Sequence, residues 1–369
     1  MIQDRPNKKG LIARLHLDLP LLTAIILLCG LGLLFLYSAS GQNTEQIIRQ
    51  SIRLAAGFAG MLALAQVHPD KLRYWSPMVF SIGIILLVVV LIEGHMGKGA
   101  QRWINLGLFR FQPSEILKLA LPMMVAWYLS REHLPPTWGR IAVAGVLILL
   151  PVMLIAKQPD LGTALLVAFA GMFVLFLGGL SWRLIIGIVM VAIPTGWSVW
   201  KWGMLDYQRD RVLTFLNPER DPLGTGYHII QSKIAIGSGG MYGKGWLNGT
   251  QSQLEFLPER TTDFIFAVIS EEFGVSGVII LLSLYLFIIL RGLYIATRGQ
   301  DTYSRLLAGA LILVFFVYLF VNTGMVTGIL PVVGVPLPLV SYGGTSLVTI
   351  LSGFGILMSI HTHRKLMQT

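Results

Sequence analysis

Asp263 stands where a polar stretch, residues 246–262, gives way to a long apolar run opening at Phe264. A carboxylate at such a boundary has two readings. It complements the positive end of a helix dipole, or it serves as a general base where the apolar chain begins. Glu115 and Lys118 form a second candidate group. Three residues apart, they share a helix face. They read as a structural ion pair behind a Ser114 cap, or as an intramembrane ionisable pair that marks a substrate path. Glu271 and Glu272 lie deeper in the run that Asp263 opens. An acid at a span centre costs about 2.5–3.5 kcal/mol on insertion scales. These two are expected to be protonated, matched by an arginine or turned to a cavity, with a structural pair favoured.

Weaker signals surround these. The run Gly237-Ser238-Gly239-Gly240-Met241-Tyr242-Gly243-Lys244-Gly245 looks like a phosphate loop. It lacks the glycine required at 238 and the serine or threonine required at 245, so it reads as a flexible turn. His361 and His363 are too few to define a metal site. Asn248-Gly249-Thr250 is a formal glycosylation sequon. Cys29 is the single cysteine, which excludes an intramolecular disulfide and a cysteine metal cluster.

The elements that must position these groups are membrane helices. Of 369 residues, 54% are hydrophobic and 12% charged, about half the charge of a soluble domain. Mean hydropathy is +0.71. A net charge of +10 suits an anionic membrane or lipid. The basic residues form no stripe, which argues against nucleic acid.

A spanning helix needs about 20 apolar residues. Ten apolar runs are expected to span, near 19–37, 52–67, 75–93, 114–130, 140–157, 161–179, 182–202, 264–290, 304–326 and 341–361. Backbone groups in lipid must be satisfied internally, so all are read as helices in an all-α integral membrane protein of one polytopic domain, 1–369. Ser38-Ala39-Ser40 mimics a signal cleavage site, but the run before it is too long for one. The basic residues of short loops place the N-terminal tail 1–18 and the tail 362–369 in the cytoplasm. One large outer-face loop, 203–262, then separates spans seven and eight, with a short amphipathic stretch at 227–236. Positive charge is abundant on that outer face, including Arg49, Arg102, Arg110, Arg211, Lys233 and Lys244. It points to an anionic ligand there. Proline and glycine interrupt the chain at 157–162 and 328–338. Non-helical backbone at membrane depth must be covered by protein or line a cavity.

The strings Gly99-Ala100-Gln101-Arg102-Trp103, Arg110-Phe111-Gln112-Pro113-Ser114-Glu115, Gln158-Pro159-Asp160-Leu161-Gly162-Thr163, His228 through Gly239, Pro258 through Phe266 and Pro336 through Gly344 resemble the SEDS family (shape, elongation, division and sporulation) essentially end to end. Lys157 departs from the family pattern, where a small or apolar residue is expected. The resemblance implies a ten-helix peptidoglycan glycosyltransferase in the bacterial inner membrane, with its active site on the periplasmic face. Its substrate would be lipid II, and undecaprenyl pyrophosphate the leaving group. Its partners would be a class B penicillin-binding protein and other elongation-complex proteins. Carried over by motif, Asp263 would be the catalytic acid/base, and Glu115, Lys118, Arg110, Gln112 and Arg102 would line the cavity. Arg49, Arg102, Arg110, Lys118, Arg211 and Lys233 are the candidate cations for the pyrophosphate, alone or with a divalent ion, Mg or Mn. The competing readings are a flippase for the lipid-linked precursor, with charge through the full bilayer depth, and a non-catalytic scaffold.

Overall fold

In a computed structural model of the chain, the described residues are 15–93, 95–97, 100–105, 110–158, 160–204, 209–210, 213–215, 217, 225–254, 256–257 and 259–363. A helix lies at each of the ten expected positions. These are α1 (Leu19–Ala39), α2 (Thr44–Ala65), α3 (Pro69–Glu93), α4 (Pro113–Leu129), α5 (Trp138–Lys157), α6 (Leu161–Leu177), α7 (Trp182–Ser198), α10 (Ile265–Thr297), α11 (Thr302–Thr327) and α12 (Thr345–Thr362). Seven of them are long and apolar enough to cross a membrane. α4, α6 and α7 have 17 residues each, at the lower limit for a span. α7 continues into a single π turn, Val199–Gly203, and touches the rest of the described bundle only sparsely.

One feature departs from the all-helical expectation, and another gives form to the amphipathic stretch at 227–236. A small antiparallel sheet of order β1-β2-β3 covers His95–Gly97, Ala100–Asn105 and Arg110–Phe111. Within the large loop, a 15-residue helix, α8 (Thr225–Gly239), packs against α10 and α11. A single turn, α9 (Thr250–Gln253), follows.

α11 is the hub, packed on α10, α6 and α4 and largely buried. α2 lies along α12, and glycines let the two approach. A Cβ on Gly355 would sit 2.4 Å from the Met61 carbonyl oxygen. Small residues permit such contacts where lipid supplies no hydrophobic drive. At the end of the bundle that carries both described termini, the Arg291 guanidinium donates to Asp18 at 2.6 and 3.1 Å, and His361 lies 3.2 Å from the same carboxylate. The His16 and His363 rings stack there, with centroids 3.8 Å apart. Ser38 and Ala39 are buried in the last turn of α1, where a span ends and no cleavage site is presented.

α10 is broken at Gly274, which has φ 63 and ψ −161, a conformation essentially open to glycine alone. The break frees main-chain groups on both sides, and the 239–245 turn takes them up. Lys244 and Gly245 N–H donate to the Glu271 and Glu272 carbonyls at 3.0 and 2.9 Å. Val275 and Ser276 N–H donate to Gly240 and Met241 at 3.0 and 3.1 Å. Glycine makes the approach possible: a Cβ on Gly243 would sit 2.1 Å from the Glu272 carbonyl oxygen. This glycine run is therefore no flexible turn.

Glu271, wholly buried, fastens the same loop. It accepts from Lys244 Nζ at 2.7 Å, Thr250 Oγ1 at 3.0 Å, Gln251 N at 3.0 Å and Ser252 N at 3.4 Å. Glu272 accepts from the Ser38 hydroxyl of α1. The two acids do not pair with each other, and the cation is a lysine where an arginine was expected. Lys244 is thereby engaged by a carboxylate.

Glu271→Ala removes the acceptor that four donors share and leaves Lys244 without its anion. Breaking a buried pair costs about 3–5 kcal/mol. Thermal unfolding of the purified variant in detergent is expected to show a midpoint several degrees lower. An unchanged midpoint would show that the clasp does not hold the loop.

Candidate active site

The turn that carries Asp263 is held through three consecutive carbonyl oxygens. Thr261 O accepts from Tyr342 N at 2.8 Å. Thr262 O accepts from Ser341 Oγ at 2.5 Å. Asp263 O accepts from Asn322 Nδ2 at 2.9 Å. Below them, Glu259 O accepts from Thr262 N and Phe264 N at 3.0 and 3.3 Å. The helix cap is Phe264, with no side-chain cap bond. Asp263 precedes it by one residue and is half-buried, so the carboxylate does not occupy the capping position. Gly334 lies beside the carboxylate: a Cβ there would be 3.6 Å from Asp263 Oδ2. Phe264 stacks on His228 of α8, with ring centroids 5.7 Å apart.

Glu115 and Lys118 form the expected pair, at 2.7 Å, and both are buried. The ammonium lies 5.1 Å from the centroid of the Tyr318 ring of α11. The second oxygen of Glu115 and the Ser114 hydroxyl are buried without a protein partner. Ser114 is therefore not the cap. That position belongs to Gln112, which makes no side-chain cap bond, and Pro113 supplies the first turn. Such orphaned polar atoms in one place indicate a wet or ligand-taking space.

Asp160 joins two further candidates. Its Oδ1 caps α6 by accepting from Thr163 N at 3.2 Å. Its Oδ2 accepts from Gln112 Nε2 at 3.3 Å and lies 3.4 Å from Arg102 Nη1. Sequence reasoning did not single out Asp160. Its signals were its place in the interrupted segment 157–162 and in the family string Gln158 through Thr163, and neither tells of the sheet and α4 residues it gathers. The two interrupted segments also meet, since a Cβ on Gly162 would sit 2.7 Å from the Val333 carbonyl oxygen. One end of the bundle thus holds Asp160, the 331–338 segment and the Asp263 turn together.

The other candidates are not drawn into this group. Arg49 pairs with Glu45 on the exposed side of α2. Lys233 is exposed on α8, its chain end against Gly328, the left-handed cap of α11. Lys157 is exposed in the last turn of α5. Arg110 is described only as a strand residue paired with Asn105, and Arg211 lies outside the described residues. No group of three or more His, Cys, Asp or Glu among the described residues could hold a metal ion.

Residues 19–366 match the family model FtsW/RodA/SpoVE, described as cell cycle protein. The chain is 56% identical to peptidoglycan glycosyltransferase MrdB of Escherichia coli K12, over 99% of this chain and 98% of that one. A solved chain of a peptidoglycan synthase complex, described as coordinating polymerization and crosslinking, superposes with a TM-score of 0.82 at 34% identity, covering 94% of this chain and 99% of that one. The crystal structure of the rod-shape-determining protein RodA from Thermus thermophilus gives a TM-score of 0.72 at 29% identity, covering 94% and 98%. With residues 19–366 matched by the family model and 99% of it aligned with a relative at 56% identity, the chain belongs to the FtsW/RodA/SpoVE family of cell cycle proteins, the SEDS family.

Proposed function

We propose that the protein is a peptidoglycan glycosyltransferase that polymerises lipid II at the outer face of the inner membrane during cell elongation. One observation carries this reading. Asn322 of α11 holds the Asp263 turn, and Lys118 lies over Tyr318 of the same helix. Four residues of helix rise by about 6 Å. A half-buried carboxylate and a buried ammonium are therefore both referred to one helix, an arrangement that suits the sugar and the pyrophosphate of one lipid-linked substrate. The name of the Escherichia coli relative supports the same chemistry.

In this mechanism one lipid II supplies its sugar C4 hydroxyl. Asp263 takes the proton as that oxygen attacks the anomeric carbon of the growing chain. Configuration inverts, and undecaprenyl pyrophosphate leaves. A positioned general base contributes about 10²–10⁴ in rate. Charge gathering on the leaving group is met by Lys118 and Arg102, with Arg110, Arg211 and Lys233 as further cations. Arg49, matched by Glu45, ranks last among them. Asp160 orients Arg102 and Gln112. Any Mg or Mn ion would share its ligands with the pyrophosphate itself. A class B penicillin-binding protein would cross-link the emerging strand. The stacking of His16 on His363 supports placing both termini on one side, the cytoplasm.

The distribution of charge favours a polymerase over a flippase. α1, α6, α11 and α12 carry no Asp, Glu, Lys or Arg between their first and last turns. A flippase path would need polar groups through that depth.

Asp263→Ala is expected to abolish strand synthesis from purified lipid II while the protein stays folded. Wild-type rates from that variant would sink the assignment. Lys118→Ala alone strands Glu115 as a buried charge, so the cleaner variant is the double change Glu115→Gln with Lys118→Met, which keeps the bulk and removes both charges. It is expected to fold, since neutral replacement of a buried pair is often tolerated, and to lose at least about tenfold in turnover. Full activity in the same assay would place the cavity elsewhere.

A further inference from the structure

Asn322 is wholly buried on α11, 0% exposed. Its amide nitrogen has two hydrogens, and both are used. One goes to Asp263 O at 2.9 Å and the other to Val335 O at 2.8 Å. We propose that Asn322 is a positioning residue for the reaction: it sets the Asp263 carboxylate against the Gly334–Val335 wall by holding one carbonyl from each. The inference rests on Asp263 being the general base.

The geometry separates Asn322 from the other two anchors. Ser341 and Tyr342 hold the carbonyls of Thr262 and Thr261, but they belong to the coil between α11 and α12. Ser341 is itself tied into that coil, accepting from Leu337 N at 2.8 Å. Asn322 is the anchor that stands on a packed helix, and so it refers the turn to the rest of the bundle. Its reach also fixes the opposite wall. Gly334, with φ +72, lies beside Asp263 Oδ2 and immediately precedes the second carbonyl that Asn322 holds.

The orientation of the amide is decided by its acceptors. Turned over, Asn322 would press its own oxygen against two carbonyl oxygens. As it stands, Oδ1 is buried without a partner. The side chain keeps both donors engaged and leaves its acceptor unsatisfied, which marks the donors as the part that matters. A side chain that served only to fill space in α11 would need neither. Without the donors, the two carbonyls face each other unpaired and the turn relaxes. A misplacement of about 1 Å can cost about 10²-fold in rate.

The test uses the full-length protein with its penicillin-binding partner and purified lipid II. Asn322→Ala is expected to lower kcat by about 100-fold with KM for lipid II unchanged. The acid limb of the kcat–pH profile is expected to move, because the surroundings of the Asp263 carboxylate set its proton affinity. Asn322→Ser keeps one donor and is expected to recover part of kcat; if the alanine variant does not fold, this variant and its kcat–KM split carry the test. Wild-type kcat, a loss confined to KM, or a lower kcat with the acid limb unmoved would each overturn the proposal. Asp263→Ala run alongside separates the two readings. If it is active, the general-base assignment falls. If it is inactive while Asn322→Ala turns over normally, only the positioning role falls.

Discussion

Three backbone carbonyls in a row, those of Thr261, Thr262 and Asp263, each need a donor from a distant part of the chain. In a membrane protein this is a severe demand, because lipid offers no water to take the place of a missing partner. Each unmet carbonyl would cost about 1–3 kcal/mol. The chain answers with donors from three residues: a backbone N–H, a hydroxyl and an amide. The donors are in turn fixed by the bundle. Gln50 of α2 donates to the Ser341 carbonyl at 3.2 Å, and Gly32 of α1 lets the Leu339–Val340 backbone lie against it. The irregular segment before α12 is thus part of the scaffold, as rigidly held as the helices around it.

The same accounting distinguishes the acids from one another. Glu271 takes four donors from one loop, three on Oε1 and one on Oε2. Its role is to fasten. Glu115 keeps one oxygen without a protein partner beside a buried ammonium. Asp263 is half-buried, and its backbone carbonyl is held by Asn322. Buried polar networks rigidify when complete and remain available for chemistry where they are incomplete.

Much of the fold was legible because lipid leaves few options: apolar runs of sufficient length become helices. The Glu115–Lys118 pair was legible for a similar reason, since helical spacing brings the two together. What escaped depends on partners far away in sequence. The role of Asp160 requires Arg102 and Gln112, some fifty residues earlier. The 237–245 glycines read as slack, and their tightness appears only once the Gly274 break is set against them. Arg49 was selected for its charge and its side of the membrane, but the glutamate one turn before it takes up that charge. Asn322 carries no charge and sits in an apolar run, so nothing in its neighbours marks it out.

The glutamate clasp also bears on how the chain is assembled. Residues 239–252 emerge from the ribosome before the carboxylates that will hold them, while Ser38, which holds Glu272, emerges more than two hundred residues earlier. A nascent chain ending short of residue 271 has donors on both sides and no acceptor between them. The loop and α1 therefore share one partner, and the arrival of α10 would bring Glu271 to the loop and Glu272 to Ser38 in a single step.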